Sequence, residues 1–374
     1  METSRAHTAF LFILTVFAVA GVLKVTGSVF VPLVIAVLLS FVFSPIVRLL
    51  SKHGVPRLVS ILLVLVIFLA FSFLVGLVLY SSVQSLLREF PSYQQRISRL
   101  LQDLIVYFDL PEDILDELQV NRRIGALLVS VSGNFMSFLS GLILVIVFLL
   151  FVLLEQPFLH RKLTEAFEDR ATKKITIMLA HINSQIGRYL GVKLFVSLMT
   201  ATIVFVAFSV IGVDFPFIWG VLTFLFNFIP SIGSIVITVL SGAFALVQFL
   251  PEWNYVIGAF LAMAITQVII GNVVDPQLLG ERLNLSPVVI LLSLLVWGWI
   301  WGVIGMFLAV PITGAIKITL ENVPGVRPIG IMMGTGNDRY RRREQARNEA
   351  REARDTERSE CHETGGHTAQ PNSP

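Results

Sequence analysis

A single cysteine, Cys361, stands in 374 residues, so the chain can close no internal disulfide and builds no cysteine cluster for zinc or iron. Six histidines are scattered without an HExxH or comparable ligand spacing, and no metal site is expected. A glycine-rich phosphate loop is missing too, which excludes transport driven by this chain's own ATPase. Intramembrane hydrolysis would need a serine or aspartate paired with a histidine or second aspartate on neighbouring spans. His53 and His181 instead fall in basic connectors. Neither an enzyme nor a cofactor is expected. Charge is scarce as well: 14% of residues, against about 25% in average soluble domains. The net charge of +3 is small and its basic residues are gathered locally, so nucleic acid is not an expected partner.

What the chain has is apolar length. Hydrophobic residues make up 55% of it, the mean hydropathy is +0.80, and they gather in runs near the ~20 residues that cross a bilayer. The fold class read from this is an all-α integral membrane protein. It has about eight transmembrane helices, re-entrant or broken hairpin segments, and a small extramembrane helical insert. The spans are expected at 9–23, 29–50, 58–80, 135–154, 189–212, 217–229, 232–250 and 255–270. The first follows Arg5 and also resembles a signal peptide, with Ala18, Val19 and Ala20 at a cleavage position. A second apolar run follows at once, which favours an uncleaved helix. Gly191 and Lys193 interrupt the fifth span, and the 217–250 region is alternatively a hairpin. The last run, 287–320, would be about 51 Å long as one helix, beyond a hydrocarbon core of ~30 Å. Gly298, Gly302, Gly305 and Pro311 are places for it to turn back.

Four regions follow. Residues 1–80 carry the N-terminal spans, and 81–134 form an amphipathic helical insert on the periplasmic side. Residues 135–330 form the transport region, with a charged cytoplasmic helical segment at 155–187, and 331–374 form a charged tail. In the insert, Ile97, Leu100, Leu101, Leu104, Ile105 and Phe108 recur at helical spacing. Pro91 and Pro111 suit first turns of two helices, with Glu112 and Asp113 at the positive end of the second. The stripe must bury against its own helices, the membrane core or a neighbouring subunit. Lysine and arginine at 48–57, at 161–188 and in the tail place those segments, and both termini, in the cytoplasm. The tail cannot bury a core, although Arg339 to Arg343 can touch anionic lipid headgroups.

Two polar breaks interrupt the apolar half. One holds Asn227, Pro230, Ser231, Gly233 and Ser234; the other runs from Gly271 to Ser286 and holds Asn272, Asp275, Pro276, Gly280, Glu281, Arg282 and Asn284. Each is either a turn at a membrane face or a discontinuous helix presenting a solute site. Pro276 disfavours helical geometry at Asp275, which places that carboxylate at the negative end of the 255–274 helix. Three states answer the misplaced charge: a pair with Arg282, a bound coupling cation (H+ or Na+), or an exposed loop acid. Gln267, Gly271 and Asn272 share its helix face. Trp297, Trp299 and Trp301 suit either stacking on a solute or an interfacial belt.

The segments DPQLLGERLNLSP and WGWIWGVIGMFLAVP, with FNFIPSIGS upstream in the right order, resemble the signatures of the autoinducer-2 exporter family. The resemblance runs from about Phe10 to Glu321 and leaves out the tail. It implies a polytopic bacterial inner-membrane transporter and a homo-oligomer. Some members are reported to export the quorum-sensing signal, and others resemble sodium–proton antiporters. Together these readings give a secondary transporter exporting a small polar solute. Its alternatives are an antiporter of the same family or a non-transporting scaffold. The expected path is Asn227, Pro230, Ser231, Gly233, Gln267, Asn272, Asp275, Pro276, Gly280, Arg282, Pro287, Gly302, Gly305 and Pro311.

Overall fold

The computed structural model describes residues 2–109, 135–166, 169–279, 283–323 and 325–335. Among these every regular element is helical: α1 (Glu2–Val25), α2 (Gly27–Lys52), α3 (Arg57–Phe108), α4 (Phe135–Glu155), α5 (Leu159–Ala166) and α6 (Asp169–Ile211). There follow α7 (Pro216–Phe226), α8 (Ile232–Phe249), α9 (Trp253–Ile269), a π turn (Ile270–Val274), α10 (Asp275–Leu279), α11 (Pro287–Asn322) and α12 (Arg327–Met332). Seven helices among the described residues are long and apolar enough to cross a membrane: α2, α3, α4, α6, α8, α9 with its continuation, and α11. The chain is an all-α integral membrane protein. Helices are the solution because main-chain polar groups must be satisfied internally in lipid.

Three boundaries differ from the sequence expectation. The 217–229 run is not a span: α7 has 11 residues, about 16 Å, and turns back against α8 as a hairpin. Gly191 and Lys193 do not interrupt α6, which continues for 43 residues, or about 65 Å. Pro91 does not start a separate helix, because α3 runs unbroken for 52 residues, about 78 Å. A proline inside a helix deletes one ladder bond. Pro91 is exposed, so the freed carbonyl stays within reach of solvent, and contacts two residues later hold the helix on course. Tyr93 is buried against Phe215 and Phe244, its hydroxyl donates to Asp214, and Arg96 Nη1 donates to the Gln248 carbonyl at 2.7 Å. The emergent end of α3 thus packs on the ends of α7 and α8. Pro111, Glu112, Asp113 and the charged tail lie outside the described residues.

Two bundles meet along α6. Ala36, Val47, Ile61, Leu65, Val145 and Leu149 join α2, α3 and α4; Val204, Phe208, Trp219, Ile237, Ala245 and Met263 join α6 to α9. A third cluster, with Leu38, Ile186, Leu190, Leu283, Leu285, Val310 and Ile318, ties α2, α6 and α11 to the second break. Large apolar side chains such as Val66, Phe71 and Leu74 on α3 point outward, as suits a lipid-facing surface, where burial gives no drive for helix association.

The final hairpin is present. Helical geometry fails at Trp301 (φ −123°, ψ 15°) and Gly302 (φ 63°, ψ −143°), and the chain reverses there. Trp297 Nε1 donates to Thr313 Oγ1 at 3.3 Å, although one straight helix would hold them ~24 Å apart. A Cβ on Gly305 would stand 1.9 Å from the Trp297 carbonyl oxygen, so the arms cross on a bare backbone. The tip is pinned to the end of α1: Trp301 Nε1 donates to the Leu23 carbonyl at 2.9 Å, and Lys24 Nζ lies 4.2 Å above the Trp299 ring.

Candidate solute site

The first break is a tight turn between two helices. Ile229 N donates to Phe226 O at 2.9 Å and Gly233 N to Ile229 O at 3.1 Å, with Ser231 at φ 61°. A Cβ on Gly233 would fall 1.8 Å from the Phe226 carbonyl oxygen, so only glycine closes the turn. Asn227 Nδ2 donates to Ser197 Oγ at 3.0 Å and moors the turn to α6.

The second break is a change of pitch, and here the expected geometry of Asp275 is overturned. The helix continues through Asp275 (φ −55°, ψ −52°) into α10 instead of ending before Pro276. The ladder widens to i→i−5 over Ile270–Val274, and Asp275 N reaches the Ile270 carbonyl. That extra residue in the turn accommodates Pro276, which has no N–H to give; π turns of this kind recur at functional sites. The carboxylate therefore does not sit at a helix C-terminus, and the dipole argument does not apply to it.

Its counter-charge is also different. The sequence nominated Arg282, whereas Lys193 Nζ lies 2.7 Å from Asp275 Oδ2, brought from α6 82 residues earlier. Arg282 and Gly280 lie outside the described residues. The Lys193 side chain is 5% exposed and that of Asp275 18%. This burial explains why α6 runs straight through a lysine: its charge is met inside the fold, as buried charges must be. Asp275 Oδ1 is also buried and has no hydrogen-bond donor among the described residues.

A cavity of about 710 Å³ opens at this pair, between α6, the first break with α8, the α9–π-turn wall and the second break. Asn227, Pro230, Ser231, Gln267, Asn272 and Asp275 line it. Tyr189, Lys193, Ser234, Thr238, Asn284 and Thr335 also line it and were not among the expected path residues, although Ser234 had been placed in the first break and Asn284 in the second. Tyr189 was legible only as the start of the fifth span, and Lys193 only as an interruption of it. Thr335 is carried in by α12: its N–H donates to Asn284 Oδ1 at 3.1 Å, and Ser286 N donates to the Met333 carbonyl at 2.9 Å.

Other expected path residues lie in the frame. Gly233 closes the turn, Pro287 starts α11, Gly302 reverses it, Gly305 permits the arms to cross, and Pro311 is buried in the second arm. Pro276 sits beside the pitch change, outside the lining. The tryptophans do not line the cavity: Trp297 and Trp301 hold the hairpin, and Trp299 is exposed beneath Lys24.

The sequence profile described as "AI-2E family transporter" matches residues 9–325. A candidate transport protein of Borreliella burgdorferi is 32% identical over 330 residues, covering 88% of this chain and 91% of its own. YhhT of Escherichia coli K12, also named as a candidate transport protein, is 31% identical over 362 residues, 91% of this chain and 99% of that one. The AI-2 transport protein TqsA of Escherichia coli K12 is 28% identical over 323 residues, 84% of this chain and 92% of its own. The profile takes in both polar breaks and the hairpin that frames them, and the chain belongs to the AI-2E family of transporters.

Proposed function

We propose that this protein is a secondary transporter that exports a small polar solute of the autoinducer-2 kind across the bacterial inner membrane. The observation that carries the reading is the meeting of two distant breaks, 227–234 and 271–286, on one cavity with a buried ion pair in its wall. Polar groups at such depth are costly unless they line a solute or ion path. The name of TqsA supports the nature of the solute. A proton or sodium gradient supplies the work, with Asp275 as the titratable or cation-binding group. Exchange of those ions alone is the second reading, favoured by Asp275 Oδ1, which has no donor among the described residues. Catalysis has no place in either reading.

In this reading both termini lie in the cytoplasm and residues 81–134 in the periplasm, which the basic connectors support. The protein works as a homo-oligomer, as the small amphipathic insert suggests. The deciding experiment is flux in proteoliposomes, with autoinducer-2 and other small polar solutes, with and without proton and sodium gradients. Solute accumulation that follows a gradient supports the reading; absence of any solute or ion flux refutes it. Cysteines placed at Ser98 and Arg161 in a Cys361→Ser background should label from opposite sides, and labelling from the same side refutes the topology.

A further inference from the structure

We infer that the end of α3 beyond Pro91 is a hinged clasp on the α6–α9 bundle, closed in this structure and released in the transport cycle. This rests on the chain being the transporter proposed above.

The two bundles keep separate apolar cores. Ile61, Val64 and Leu65 bind α3 to α2 and α4, whereas Val204, Phe208, Trp219, Ile237 and Met263 belong to α6–α9 alone. Between residues 77 and 100, Tyr93 is the one buried residue of α3. The protruding half of α3 thus meets the second bundle around a single buried side chain.

The socket that receives it is built without α3. Gln248 Oε1 accepts from Asp214 N at 2.9 Å, and Gln248 Nε2 donates to the Gly212 carbonyl at 2.9 Å, so α8 braces the turn after α6 by itself. Trp219 packs against Phe208 and Phe244, with ring centroids 6.2 and 5.3 Å apart. Into this socket α3 sends two side chains. The Tyr93 ring lies 5.4 Å from that of Phe244 and its hydroxyl donates to Asp214, while Arg96 Nη1 donates to the Gln248 carbonyl at 2.7 Å. The Arg96 bond is exposed, and such bonds exchange for water at little net cost.

Pro91, two residues before Tyr93, supplies the hinge. It leaves one bond out of the ladder, and sharp bends in long helices gather at proline. The docked side chains hold α3 straight across that gap; once they part, the helix can bend there.

Position gives the clasp its role. The socket lies at one end of α8, whose 18 residues, about 27 Å, carry Ser234 and Thr238 into the cavity wall at the other. α7 likewise leads from Phe215 at the socket to Asn227 in the wall. Secondary transporters open a site to alternate sides by moving one bundle against another, and here that movement must part α3 from the socket. The clasp governs when the first break can move, and leaves open which solute or cation the cavity takes.

Spin labels on Gln95→Cys and Val210→Cys, both exposed sites, follow the joint by pulsed double electron–electron resonance in full-length Cys361→Ser protein in nanodiscs. A second, longer distance should grow in Tyr93→Phe/Arg96→Gln, its ratio to the first at least about tenfold above the parent for two lost bonds. Adding Pro91→Ala to that pair should shrink it again. An unchanged distance in the unlatched variant overturns the inference, and so does a second distance that Pro91→Ala leaves in place. In liposomes, bridging Arg96→Cys to Gln248→Cys with a short reducible reagent should stop flux until reductant is added; flux that continues through the bridge overturns the release. A parent protein that moves nothing refutes the exporter reading, while the distances still decide the clasp.

Discussion

Changing Asp275 to Asn probes the ion pair most directly. At 2.7 Å, and at the effective dielectric of about 20 that suits buried sites, the attraction is about 6 kcal/mol. Desolvating two ions takes back most of that, so the intact pair adds little net stability over an apolar replacement. Breaking it is another matter, because the survivor keeps its desolvation cost, about 3–5 kcal/mol for a buried partner. The two survivors are not equivalent. Both border the cavity, but Lys193 is 5% exposed and Asp275 18%, so Asp275→Asn strands the more deeply buried charge. Asp275→Asn should therefore fall at the upper end of the range and Lys193→Met at the lower. The double variant Lys193→Met/Asp275→Leu should return to within about 1 kcal/mol of the parent. Unfolding of each purified variant in one detergent closes a double-mutant cycle. Additive losses, with no recovery in the double variant, would refute the pairing. Coupling of Asp275 to Arg282 in place of Lys193 would refute the assignment of the partner.

Other predictions concern the frame. Gly233→Ala puts a methyl group 1.8 Å from the Phe226 carbonyl, so the first turn must open; folded yield should collapse, and wild-type yield would contradict the turn. Gly302→Ala forces a side chain into φ 63°, ψ −143°, at a cost of about 1–3 kcal/mol, read as a lowered melting temperature. Trp297→Phe removes the bond to Thr313 across the hairpin and should cost only about 0.6 kcal/mol, the average for interhelical bonds in membranes. Tyr93→Phe removes a hydroxyl donated to the Asp214 carboxylate and should cost about 1.5–3 kcal/mol. Asp214→Asn adds little on top of it if the two act through one bond.

The sequence by itself determined the class of this protein. Apolar runs of bilayer length admit only helices or closed barrels, and these runs lack the alternation of barrel strands. It also located both polar breaks and the final hairpin, because prolines, glycines and polar side chains inside apolar runs are local signals that no distant contact needs to supply. Gly302 shows this well: a residue without Cβ in a run too long for the bilayer is where the chain turns. Only the tertiary structure decided what those local signals meet. Pro91 was read as a helix start, yet contacts of Tyr93 and Arg96 with residues 214–248 keep α3 continuous. Lys193 was read as an interruption of a span, yet a carboxylate 82 residues away makes it a buried half of an ion pair. Asp275 was read as the end of a helix because Pro276 follows it, yet one extra residue in the turn carries the helix through. In each case a long-range contact or a small change of pitch outweighs a propensity near 1–3 kcal/mol. Such contacts leave no trace at neighbouring positions in a single chain.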